Sequence, residues 1–160
     1  MNFGNISQDK WQIFRDLAPT MGRINARSDA VINLLIASCV KQRTLKEAQI
    51  LVSKSETQPE LAILSTPFGK GRLVRSWKIG GKELVGLIIC ERVCRDKYDQ
   101  TYWEPVWALH IPQFEDPFTG TGDGKLTIKL NDSFEDDQWH GVFSAIMSMT
   151  YGLIEGPVLE

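Results

Sequence analysis

The densest run of chemically useful side chains in this sequence is cationic. Lys70, Arg72, Arg75, Lys78 and Lys82 follow one another with Trp77 among them, and Arg92, Arg95 and Lys97 come soon after. Lys and Arg at this density neutralise phosphates without reading base sequence, and indole rings such as Trp77, Trp103 and Trp107 offer planes on which bases stack. Arg72, Ser76 and Lys78 share one parity, so an extended chain presents them on one face. The same residues suit a protein partner equally well, since opposite charge steers docking.

Carboxylates dominate further along, at Glu104, Glu115, Asp116, Asp123, Asp132, Glu135, Asp136 and Asp137. Such groups bind divalent cations, imitate a phosphate backbone or attract a basic protein. Capping of a helix start accounts for Asp132, Asp136 and Asp137 without further function. Asp116 and Asp123 with Lys125 permit a second chemistry: two carboxylates hold Mg²⁺ while the lysine stabilises charge on phosphate or attacking water, as in a nuclease. Gly122 and Gly124 beside Asp123 favour a turn at that point instead.

Other catalytic patterns fail on spacing. The run Thr119-Gly120-Thr121-Gly122-Asp123-Gly124-Lys125-Leu126 has Thr119 where a phosphate-binding loop needs Gly, Leu126 where it needs Ser or Thr, and a strand pattern where a helix must follow. The two histidines, His110 and His140, belong to no HExxH motif, and neither a paired CxxC nor a GxSxG sequence occurs. Cys90 or Cys94 served by His110 is the remaining nucleophile arrangement, and the apolar residues around both thiols argue against it, because burial raises a thiol's pKa. No motif calls for a cofactor or identifies a small-molecule ligand.

The elements that position these residues follow from periodicity. Ser7 is placed to cap a first helix carrying Trp11, Phe14 and Leu17 or Ala18 on one face, with Pro19 as its stop. Ser28 is placed to cap a second, in which Val31, Ile32, Leu34, Leu35, Ile36, Ala37, Cys39 and Val40 surround most of the circumference, as at the centre of a core or an interface. A capping box at Thr44-Leu45-Lys46-Glu47 predicts a third helix to about Ser53.

The rhythm then becomes alternating. Strands are predicted over 61–65 and 72–79, and Gly80-Gly81 predicts a tight hairpin returning along Lys82 to Arg95. That return segment is apolar on both parities, as in an interior strand. Further strands are expected around 103–111 and 125–130, separated by a Gly-rich loop. A final helix carries Trp139, Val142, Phe143, Ile146, Met147, Thr150, Leu153 and Ile154 at spacings of three and four, and Gly156-Pro157 ends it.

The expected fold is α+β: N-terminal helices, a central antiparallel meander of about four to five strands, and a C-terminal amphipathic helix packed on the sheet. All of 1–160 is read as a single domain, helical over 1–55, sheet over 60–131 and helical again over 135–155. A chain of this length buries roughly 70% of its unfolded surface, enough for a core without metals or disulfides.

Composition narrows the class. With 42% hydrophobic and 24% charged residues, the chain reads as an ordinary soluble globular protein. The first twenty residues lack a basic region followed by an apolar run, and Ala30 to Val40 is far short of a membrane helix. Three cysteines, two of them in an apolar segment, fit a reducing compartment, so a cytoplasmic protein is expected, without a membrane. Net charge runs +1, +6 and −9 over residues 1–40, 41–97 and 98–160. The expected role is that of a non-enzymatic accessory or regulatory protein that binds another protein, or a second copy of itself through the second helix. Nucleic-acid binding through the basic hairpin is the first alternative, and a Mg-dependent nuclease the second.

Overall fold

The computed structural model describes residues 7–130 and 135–156. The helices are α1 (Gln8–Arg15), α2 (Leu17–Lys41), α3 (Arg43–Glu47) and α4 (Glu135–Glu155). The strands are β1 (Leu51–Lys54), β2 (Glu60–Thr66), β3 (Gly69–Gly80), β4 (Glu83–Arg95), β5 (Thr101–Ile111), β6 (Phe118–Thr119) and β7 (Leu126–Thr127). They form a seven-stranded antiparallel meander in which every neighbour in sequence is a neighbour in space. The α+β class and the order helices, sheet, helix hold, with more strands than the sequence predicts.

The helical segments divide differently from the sequence reading. Pro19 does not stop a helix; it stands in the first turn of α2, where its missing N–H has no carbonyl to serve. Ser28 lies mid-helix, almost fully buried against the core, rather than at a cap. Trp11 and Phe14 are exposed, and α1 turns Ile13 towards the core instead. The third helix stops at Glu47 because Gln49 takes a left-handed φ of 59°, after which the chain enters β1 with Val52 buried. The acidic cap expected from Asp132, Ser133, Asp136 and Asp137 lies outside the described residues and side chains.

The β3–β4 hairpin is as the two glycines predict. Gly80 pairs with Glu83, and Gly81 takes φ 65°, which a two-residue turn demands and an ordinary side chain resists. Burial in β4 then alternates: Leu84, Gly86, Ile88 and Cys90 are buried, whereas Val85, Leu87 and Ile89 are half-buried. Both long helices lie on the face of the even-numbered residues. On that face α2 brings Ile24 onto Gly86, and α4 brings Leu153 to 2.8 Å from where a Cβ on Gly71 would stand. The core fills this layer with Ile24, Val31, Leu35, Leu73, Ile88, Leu109, Ile111, Ile146 and Met149. Most of the apolar circumference of α2 is thereby used within the fold, against β1, β4, β5, α3 and α4, while Val40 is exposed.

Candidate docking surface

Among the described residues the opposite face of the sheet carries no long helix. Pairing sets Val74, Ile89 and Ala108 in one row across β3, β4 and β5, with Leu87 and Val85 further along β4 and Ile63 on β2. All six are half-buried, and none belongs to the hydrophobic core or packs against it. A row of this kind is apolar surface presented to solvent on a rigid sheet. The sequence shows these residues as one parity of β4, but alternation alone does not say which parity the helices cover.

Polar groups close both ends of the row. At one end Arg72 Nε donates to Glu91 Oε1 at 3.0 Å, and its guanidinium lies 4.0 Å from the centre of the Trp103 ring. Val93, paired with Trp103, is half exposed beside them. At the other end the His110 ring stacks on Phe118, with centroids 4.9 Å apart, and its Nδ1 lies 3.3 Å from the Phe118 carbonyl. Burial, and then the charge of Lys78, hold this imidazole below its ordinary pKa against the pull of that carbonyl. The histidine therefore stays neutral at physiological pH.

The predicted cationic residues are not all brought together. Lys70, Arg72 and Lys78 share the open face, with Lys70 and Lys78 exposed. Arg75 points to the helix side, where Nη2 lies 3.4 Å from Asp29 Oδ1, and Trp77 packs against the core on that same side. Trp107 does likewise, so Trp103 is the indole left for a partner. Lys82, in the hairpin turn, lines an open hollow of about 320 Å³ with Asp16, Arg23 and Gln113.

The +6 and −9 segments meet rather than forming separate faces. Arg92 Nε donates to Glu104 Oε2 at 2.8 Å across β4 and β5, and Arg95 bonds Asp99 at 3.0 Å in the turn between them. All five arginines of the basic segment, Arg43, Arg72, Arg75, Arg92 and Arg95, thus already have carboxylate partners. Glu91 and Glu104 take Arg72 and Arg92, a pairing the sequence does not show, because only the register places each opposite its arginine.

Arg92, and then the Cys94 thiol that donates to the same oxygen at 3.2 Å, hold the Glu104 carboxyl below the usual carboxylate range. A carboxyl whose pKa is lower folded than unfolded contributes stability that is full above the unfolded value and is lost as pH falls through the folded one. Urea midpoints between about pH 5 and 2 should therefore fall more steeply for the native chain than for Glu104→Gln. Parallel pH profiles would remove Glu104 from the acid response.

The carboxylates weighed for metal chemistry do not converge. Asp116 Oδ1 accepts the Leu130 N–H at 3.3 Å, Asp123 is exposed in a short 3-10 turn, and Lys125 Nζ lies 4.3 Å from the centre of the Phe118 ring. Among the described residues no three His, Cys, Asp or Glu side chains are placed to hold a metal. Cys90 lies on the helix side of the sheet and His110 on the open side, so they form no dyad. Burial pushes the Cys90 thiol up to about 12, which leaves it protonated and inert.

Among the described residues no helix is long and apolar enough to cross a membrane. No family model, curated protein or solved structure matches the chain.

Proposed function

We propose that this is a non-enzymatic accessory or regulatory protein that acts by binding another protein across the open face of its sheet. One observation carries the reading: a rigid antiparallel sheet covered by helices on one side only, with Ile63, Val74, Val85, Leu87, Ile89 and Ala108 on the other, outside the core. Apolar residues in a contiguous row, rimmed by Arg72, Glu91, Trp103 and His110, have the make-up of an interface centre and its polar border. Aromatic and arginine side chains at the rim are the types that anchor such contacts.

A protein partner fits better than nucleic acid. Arginines that already bond carboxylates have little net charge to offer a phosphate backbone, and Trp77 and Trp107 are turned into the core. Self-association through α2 is the less favoured variant, because most of that helix's apolar residues pack within its own fold. Cytoplasmic residence belongs to this reading, supported by the free thiols Cys39, Cys90 and Cys94.

The test is a photo-activated cross-linking residue introduced in the native cell at Leu87, with the exposed Lys46 of α3 as control. A discrete protein adduct is expected from Leu87 and absent from Lys46. The purified pair should then lose about tenfold or more in affinity on Leu87→Glu, since a buried unpaired carboxylate is costly at an apolar contact. Equal labelling at both positions, labelling of nucleic acid, or no adduct from Leu87 would sink the proposal.

A further inference from the structure

β3 is longer than the strand beside it. Glu60, the first residue of β2, pairs with Val74, so Arg75–Gly80 run on past β2 while still pairing with β4. In a two-residue hairpin the residues flanking the turn exchange both hydrogen bonds. With Gly80 opposite Glu83, the residues bonded to β4 are Gly80, Lys78 and Ser76. Arg75, Trp77 and Ile79 consequently aim their N–H and C=O groups away from β4. Beyond the bridge of Val74 to Glu60, no bond to the Trp77 and Ile79 groups is found among the described residues. A row of this kind is a template for another strand.

Two further observations mark the same edge. Buried polar atoms are almost always paired, yet Arg75 Nε on β3 has no partner. Arg75 has only the 3.4 Å contact to Asp29 as an ion pair, and its side chain is 27% exposed. Ile79, next along the helix side of the edge, is 54% exposed, and Lys78 is exposed on the open side.

We infer that the free edge of β3 receives an extended, acidic segment of a partner protein as an eighth strand. The inference rests on the protein-docking reading above and names the chemistry of what docks. An antiparallel strand places its residues opposite Ile79, Lys78, Trp77, Ser76 and Arg75 in turn, alternating between the two sheet faces. Charge and burial then ask for apolar, acidic, apolar, unrestricted and acidic residues in that order. The acidic residue opposite Lys78 supplies it with a carboxylate, and the one opposite Arg75 adds a second to its existing contact with Asp29.

A second copy of this chain satisfies the edge less well. Symmetric antiparallel pairing about Trp77 sets Ile79 against Arg75 and buries the guanidinium further with no acceptor, and pairing about Lys78 sets like charges together. Backbone carbonyls in the row also need donors, which a peptide has and a phosphodiester lacks.

The experiment uses the full chain and an acetylated, amidated peptide with the core Val-Glu-Val-Thr-Glu. Amide exchange followed by NMR should slow at Trp77 and Ile79 on adding the peptide and stay unchanged at Ser76 and Lys78. Ile79→Pro deletes an N–H on the free side only, where proline is tolerated, and should weaken binding about tenfold. Lys78→Glu should weaken it comparably and reduce its dependence on salt, a result that stands even if the proline variant fails to fold. A peptide with Lys in place of both Glu should not bind.

Protection of the same two amides without peptide, accompanied by a dimer in sedimentation, would assign the edge to a second copy and overturn the inference. Equal binding of the Lys peptide, or no slowing of the two amides, would also overturn it. If the Leu87 adduct is nonetheless found, protein docking stands and only the strand addition falls; absence of both removes the two together.

Discussion

Alanine at Gly141 is expected to lower stability by about 3 kcal/mol, although alanine is the better helix former by about 1 kcal/mol. The reason is the approach of α4 to the chain beside β7. A Cβ on Gly141 would stand 2.5 Å from the Thr127 carbonyl oxygen and 3.6 Å from Ile128 Cα. Both are backbone atoms, and Ile128 is held in place by its N–H bond to the Pro117 carbonyl at 2.9 Å. No side chain can rotate out of the way, so relief requires α4 to move off the sheet and open the core that Val142, Ala145 and Ile146 fill. Gly22 in α2 is the control, because a Cβ there meets nothing within 4 Å. Alanine at Gly22 should raise stability by about 0.5–1 kcal/mol. Urea midpoints at unchanged slope measure both. A Gly141→Ala protein as stable as the native chain would mean that α4 does not sit so close.

The second large effect is a coupling between α2 and β4. Gly86 lets Ile24 rest on the centre of the sheet, and a Cβ at Gly86 would overlap Ile24 Cγ2 while also touching Ile111 Cβ at 3.5 Å. Gly86→Ala should therefore cost about 1–3 kcal/mol through overpacking. Ile24→Ala, at a fully buried position, should cost about 2–5 kcal/mol through the cavity it leaves. Made together, the two changes exchange a methyl group across one contact, and their combined cost should fall short of the sum by about 1–3 kcal/mol. Additive costs would place Ile24 elsewhere than over Gly86.

Both predictions concern a helix lying on the sheet, and neither site stands out in the sequence. The local pattern around Gly141 and Gly86 gives no sign of a close contact. Their meaning comes from the partner element, whose distance no local pattern encodes. The same holds for Arg72 and Arg92. Their charge is visible in the chain, but their pairing with Glu91 and Glu104 depends on a strand register that includes an irregularity between Cys90 and Glu91.

The helix boundaries diverge for related reasons. Pro19 reads as a stop when taken alone and as a first-turn residue once Leu17 is seen to begin α2. Trp11 and Phe14 read as core because size and spacing suit a buried face, yet α1 turns Ile13 inward and leaves both exposed. The stretch after Glu47 is helical by pattern up to Ser53, but β1 gains hydrogen bonds to β2 that a longer helix would forgo.

By itself the sequence determined what short-range physics controls. A positive φ at Gly81 makes the hairpin, a run apolar on both parities makes β4, period-two alternation makes β5, and spacings of three and four make α4. Only the tertiary structure decided which apolar parity of β4 the helices cover, which cations find carboxylates, and where β3 outruns β2 to leave an open edge. Alternation separates a strand into two faces without naming the covered one, because that choice depends on where α2 and α4 bury the most apolar surface.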